Sequence, residues 1–78
     1  MEQNNKSESI LNNMSQRLKT LRKESGLSQL QVAEKLYVTR SAYANYEQGT
    51  RQPSTDIIIK LAELYNVSTD YLLGVSQK

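Results

Sequence analysis

Helix-starting and helix-ending residues recur along this chain so closely that only short helices fit between them. Gly26, Ser28, Thr39, Gly49, Ser54, Asn66, Ser68 and Gly74 divide everything after residue 25 into brief runs. Within the runs, apolar residues fall at spacings of three and four, the helical period. No segment shows the period of two that marks a half-buried strand. Short helices around a shared core are therefore predicted, with no sheet.

The individual elements follow from the same signals. Ile10, Leu11, Met14, Leu18 and Leu21 share one helical stripe, so a first helix is expected to begin near Ser9 or near Ser15, with Asn12 and Asn13 weighing against the earlier start. Gly26 suits the left-handed position that ends a helix, and Arg22 and Lys23 place positive charge in the last turns. Ser28 caps a second helix, Gln31 completes a capping box, and Val32, Ala33 and Leu36 form its inner stripe. Thr39 caps a third helix that stops at Gly49. Pro53 and Ser54 open a fourth, in which Ile58, Leu61, Ala62 and Tyr65 make an apolar stripe ended by Asn66. Ser68 caps a fifth, with Asp70 in its first turn and Gly74 closing it. The expectation is an all-α fold of five helices: a polar, partly flexible N-terminal extension over residues 1–14, one domain over 15–74 and a tail over 75–78.

A chain of 78 residues is one small domain, close to the size at which an apolar core holds without staples. It has no Cys, which excludes disulfides and thiolate metal sites, and no His, which removes the usual general base and the commonest metal ligand. Asp56, Glu63 and Asp70 show no ligand spacing and are expected to cap helices or sit in solvent. No enzyme activity, metal or other cofactor is therefore expected. No apolar run approaches the roughly 18 residues of a membrane span and no signal-peptide pattern opens the chain, so no membrane partner and a cytoplasmic location are expected. The net charge of +2 is unevenly spread: residues 15–54 hold seven basic against three acidic residues, and each flank sums to −1. A basic middle suits a polyanion, although a solvated helix face carries similar charge.

The run "TRSAYANYEQG", Thr39–Gly49, sorts into two faces. Tyr43, Tyr46 and Glu47 fall on one side. Arg40, Ser41, Ala44, Asn45 and Gln48 fall on another, small and polar. The second and third helices are joined by about three residues and so must cross steeply, with Ala33 small enough for close approach. That arrangement holds the third helix proud of the surface. The major groove of B-DNA, roughly 12 Å wide, admits such a helix. Arg40 suits guanine O6 and N7, Asn45 suits adenine N6 and N7, Ala44 offers a methyl to thymine, and Ser41 donates or accepts. Tyr43, Tyr46, Tyr65 and Tyr71 lie on apolar stripes and are expected in the core, not stacked on bases. Arg17, Lys19 and Lys23 are expected on a solvated face.

The stretch "LSQLQVAEKLYVTRSAYANYEQGTRQPS" closely resembles the phage-repressor and Cro-like (XRE-type) helix-turn-helix regulators, and the resemblance runs from about Ser15 to Gly74, ending in "VSTDYLLG". Gln29, Ala33, Val38, Glu47, Gly49 and Pro53 carry it. The resemblance implies a compact five-helix, lambda-repressor-like DNA-binding domain, and a transcriptional regulator, here a repressor, that reads a near-palindromic double-stranded operator as a homodimer. It implies that Arg40, Ser41, Ala44 and Asn45 read bases. Ser28 and Gln29 at the start of the second helix, and Thr50, Arg51 and Gln52 after the third, would hold phosphates. Arg22 and Glu47 would form an ion pair. Two positions depart from the pattern. Tyr37 stands where the turn usually has Gly, often at positive φ, so either the turn adjusts or a bulky residue accepts strain. Leu30 stands where a polar residue is usual, which suggests contact with Ile10 or Leu11, or with another protein. A second reading therefore stays open: a protein-interaction module, antitoxin-like or binding an antirepressor or inducer, built on the same scaffold.

Overall fold

The computed structural model describes residues 6–75, with side chains from Asn13 onward. The helices are α1 (Lys6–Ser25), α2 (Gln29–Leu36), α3 (Arg40–Gln48), α4 (Thr55–Tyr65) and α5 (Thr69–Leu73). No strand occurs among the described residues, and no helix among them is long and apolar enough to cross a membrane.

The helix ends are set by local chemistry. Ser28, Thr39, Ser54 and Ser68 stand in extended conformation ahead of α2, α3, α4 and α5. Each hydroxyl oxygen accepts the N–H three residues on, from Gln31, Ala42, Ile57 and Tyr71, at 2.9 to 3.3 Å. At the other ends one device recurs five times. Gly26, Tyr37, Gly49, Asn66 and Gly74 all have positive φ. The next residue's N–H then reaches back to the carbonyl five positions earlier (Leu27 to Arg22, Val38 to Ala33, Thr50 to Asn45, Val67 to Ala62, Val75 to Asp70) at 3.0 to 3.2 Å. Leu27, Val38 and Val67, just past three of these ends, tuck against the core.

That core takes Met14 and Leu18 from α1, Val32, Ala33 and Leu36 from α2, Tyr43 and Tyr46 from α3, Ile58, Leu61, Ala62 and Tyr65 from α4, and Leu72 from α5. The stripes read from the sequence for the second, third and fourth helices turn inward, as do Met14, Leu18 and the half-buried Leu21 of the first, while the side chains of Ile10 and Leu11 lie outside those described. The first helix starts earlier than Ser9 or Ser15, and residues 6–14 of the predicted extension are helical. The disfavour of Asn12 and Asn13 for a helix amounts to less than about 1 kcal/mol per residue, and Met14, only 1% exposed, sets core burial against it. The expectation of a flexible segment, where it concerns residues 1–5, lies outside the described residues, as does residues 76–78 of the tail. So does the expected packing of Ile10 or Leu11 on Leu30, whose side chain is half exposed.

α5 has five residues, too few to be stable alone. α1 holds it. Leu72 is fully buried, the Arg17 guanidinium lies 4.2 Å from the Tyr71 ring centroid, and a Cβ on Gly74 would come within 2.9 Å of Asn13 Cβ. Arg17, expected on a solvated face, is in fact a cation on an aromatic ring.

Tyr37 settles the question of the turn by accepting the strain, at φ 61° and ψ 39°. Its side chain is 87% exposed, with Lys60 Nζ 5.3 Å from the ring centroid. A Cβ in this region costs about 1–2 kcal/mol. Glycine relieves that cost but loses roughly 0.5–1 kcal/mol of chain entropy on folding. Tyr37→Gly is therefore expected to raise the unfolding free energy modestly, by up to about 1.5 kcal/mol, seen as a higher urea midpoint at unchanged slope, and Tyr37→Val to lower that midpoint. A lower midpoint for the glycine variant would mean that the Lys60 contact outweighs the strain.

Candidate nucleic-acid interface

α3 packs on α1 and α2 through a face with an unusual feature, a buried carboxylate. Tyr43 is fully buried, and its ring meets that of Tyr46 edge-on with centroids 6.2 Å apart. Between them and α1 lies Glu47, 3% exposed. Its two oxygens accept from Arg22 Nε and, at 3.1 Å, from the other arm of the same guanidinium. Gln29 Nε2 donates to Glu47 Oε1 at 3.1 Å. The remaining guanidinium nitrogen donates to the Leu27 carbonyl at 3.0 Å. A single side chain of α3 is thus tied to α1, to the first residue of α2 and, through Arg22, to the connection between them.

Burial alone would push the Glu47 carboxyl up, but hydrogen bonds from Arg22, Tyr43 and Gln29 outweigh it and hold the group below the usual carboxylate range. The bond to Glu47 raises the Arg22 guanidinium, against the pull of burial. Tyr43 and Tyr65 face each other through their hydroxyls at 3.3 Å. Burial pushes Tyr43 well above its ordinary value, helped by that bond. It pushes Tyr65 up too, tempered by the same bond.

The opposite face of α3 is open. Arg40, Ser41 and Gln48 are exposed, and Ala44 and Asn45 are half-buried beside them. All four residues expected to read bases therefore share one accessible edge. Thr50, Arg51 and Gln52 are exposed on the loop leaving the C-terminal end of α3. Thr50 has a partner within the chain: its hydroxyl donates toward Asn45 Oδ1 at 3.2 Å and the Asn45 carbonyl at 3.3 Å.

At the start of α2 the expected phosphate contacts are partly committed. Ser28 accepts the Gln31 N–H at 3.0 Å and its own N–H donates to Gln31 Oε1 at 2.8 Å, the reciprocal capping box. The Gln29 amide is held by Glu47, as above. What α2 presents outward is the positive end of its dipole, with the N–H groups of its first turn. The bond from Gln29 to Glu47 places that terminus beside α3.

Several of these contacts leave no trace in the sequence. Gln29–Glu47, Tyr43–Tyr65, Arg17–Tyr71 and Tyr37–Lys60 join residues separated by 18 or more positions, and no periodicity links them. Thr50–Asn45 had a signal: a residue just past a glycine helix end returns to the carbonyl five back, which brings its hydroxyl alongside that residue.

Two short helices packed together across a tight left-handed turn, the second with a polar edge outward, define a helix-turn-helix domain. The chain belongs to the helix-turn-helix family, whose model matches residues 18–72. It is 49% identical over 61 residues to the HTH-type transcriptional regulator ImmR of Bacillus subtilis, covering 78% of this chain and 48% of that protein. The fold superposes with a TM-score of 0.74 on the restriction-modification controller protein C.AhdI from Aeromonas hydrophila, 34% identical, over 82% of this chain and 97% of that one. It superposes with a TM-score of 0.76 on the P22 c2 repressor, crystallised with a synthetic operator and 24% identical, over 81% of this chain and 96% of that one. The chain spans about half the length of the curated relatives it matches.

Proposed function

We propose that this chain binds double-stranded DNA in a sequence-dependent way, with α3 in the major groove, and regulates transcription from the cytoplasm as a repressor. The observation that carries this reading is the pairing of an open polar edge on α3 with a buried ionic anchor behind it. Arg40, Ser41, Ala44 and Asn45 supply the edge, and Glu47 with Arg22 fixes its attitude. The kinship with ImmR, a transcriptional regulator by name, agrees with it. Phosphates are taken by the first turn of α2 at Ser28 and Gln29, and by Arg51 and Gln52. One copy makes few contacts, so two copies on half-sites about one helical turn apart give useful affinity.

Selection of bound sequences from a random duplex pool, followed by a salt series, tests the proposal. A preferred site with half-site symmetry is expected, with log K falling against log salt by about 0.9 per phosphate contact. Arg40→Ala should cost about 1–3 kcal/mol at that site and blur one base pair, whereas Arg51→Ala should weaken all sequences alike and shallow the salt slope by roughly one unit. Identical behaviour of the two variants defeats the division of roles. A second reading, a module that grips another protein, draws on the half-exposed Leu30 in the first turn of α2. It predicts no preferred duplex, and partner binding nearly indifferent to salt.

A further inference from the structure

We infer that Thr50 is a positioning residue for base readout: its hydroxyl sets the amide of Asn45, and with it the base preference of that side chain, while phosphate contact falls to its neighbours. This rests on the DNA-binding reading above and deepens it. The geometry is fixed by the main chain. The Thr50 N–H closes the end of α3 by donating to the Asn45 carbonyl at 3.1 Å, which leaves Oγ1 3.3 Å from the same carbonyl and 3.2 Å from Asn45 Oδ1. Both neighbours are acceptors, so the hydroxyl is the donor. A hydroxyl has one proton, and here it is directed at Asn45, not outward at a phosphate.

The consequence is orientational. With Oδ1 turned to Thr50, the NH2 group of Asn45 is the part of the amide directed away, and Oδ1 keeps a second lone pair. A base edge that pairs one acceptor with one donor, such as adenine N7 with N6, is then met in a single orientation. Without the hydroxyl the amide turns over freely, exchanging donor for acceptor. Arg51 and Gln52, exposed on the same loop, remain for the backbone.

Thr50→Val keeps the shape and the main-chain bond but removes the proton, and Thr50→Ser restores it. The experiment measures affinities of the full 78-residue chain for its selected site and for every single-base change in that site, for these variants, Asn45→Ala and the double variant, at several salt concentrations. Thermal melts verify folding, and Thr50→Ala serves in place of Thr50→Val if the valine disturbs the loop. Expected is a loss of preference, on the order of tenfold, confined to the base pair that Asn45→Ala also blurs. The salt slope should be unchanged, the serine variant should recover, and Thr50→Val should add nothing once Asn45 is gone. A uniform loss for all sequences with a shallower slope would make Thr50 a phosphate contact and overturn the inference alone, as would an unaltered preference. A wild-type chain that prefers no duplex at all removes the DNA reading, and this inference with it.

Discussion

Arg22→Met should lower the unfolding free energy by about 3–5 kcal/mol, the usual result of stripping the partner from a buried charge. For a domain of this size that corresponds to a loss of upwards of about 12 °C in Tm, a large part of a total stability of about 5–15 kcal/mol. The expectation rests on asymmetry. Glu47 is 3% exposed and takes three of its hydrogen bonds from Arg22 and Gln29, so without the guanidinium a desolvated carboxylate remains. Replacing both partners, as Arg22→Met with Glu47→Leu, should recover most of the loss, because an apolar pair of similar volume often matches a buried ion pair. Thermal denaturation of the three proteins checks this, and a double variant as unstable as the single one would show that the pair does more than neutralise itself.

The same substitution should reverse a pH dependence. In the wild type the Glu47 carboxyl is held below its ordinary value of 4.5. Its contribution is therefore complete above that value and fades as pH falls through the depressed folded value. In Arg22→Met burial dominates and the folded carboxyl rises above its unfolded value. The variant then gains stability as the pH drops from neutrality toward about 4.5, while the wild type gains nothing from this group. The gap between them should narrow over that range. A gap that stays constant would mean that the carboxyl is solvated once Arg22 is gone.

Much of this was legible in the sequence because the fold is punctuated locally. A serine or threonine ahead of an apolar stripe satisfies orphan N–H groups within three residues, and a residue at positive φ closes the other end within five. The helix bounds after Gly26 followed from those short-range bonds. The same is true of the two faces of α3, since a helical period separates Tyr43, Tyr46 and Glu47 from Arg40, Ser41, Ala44 and Asn45 without any knowledge of neighbours. The start of α1 was less legible: Met14 draws the helix back toward Lys6 through tertiary burial, which overrides the weak preferences of Asn12 and Asn13. Likewise, nothing local announces that the Gln29 amide is spent on Glu47. That fact depends on which helix ends the packing brings side by side, whereas the Thr50 contact with Asn45 closes within five residues at one glycine helix end.

α5 gives the sharpest test of whether the domain folds as one body. Its single fully buried side chain is Leu72, and Tyr71 and Gly74 meet α1 at Arg17 and Asn13. Leu72→Ala should cost about 2–5 kcal/mol, from lost burial and the cavity left behind. Arg17→Ala, which removes a cation from a partly exposed ring, should cost only about 0.5–1 kcal/mol. The Leu72 side chain joins the same cluster as Leu18, Leu61 and Tyr43, so the loss should appear as a lower midpoint of one cooperative transition, with the urea slope unchanged. If α5 instead peeled away first, far-ultraviolet dichroism would show two steps. The α3 edge would then keep its affinity for DNA after the first step, and the recognition unit would be α1 to α4 alone.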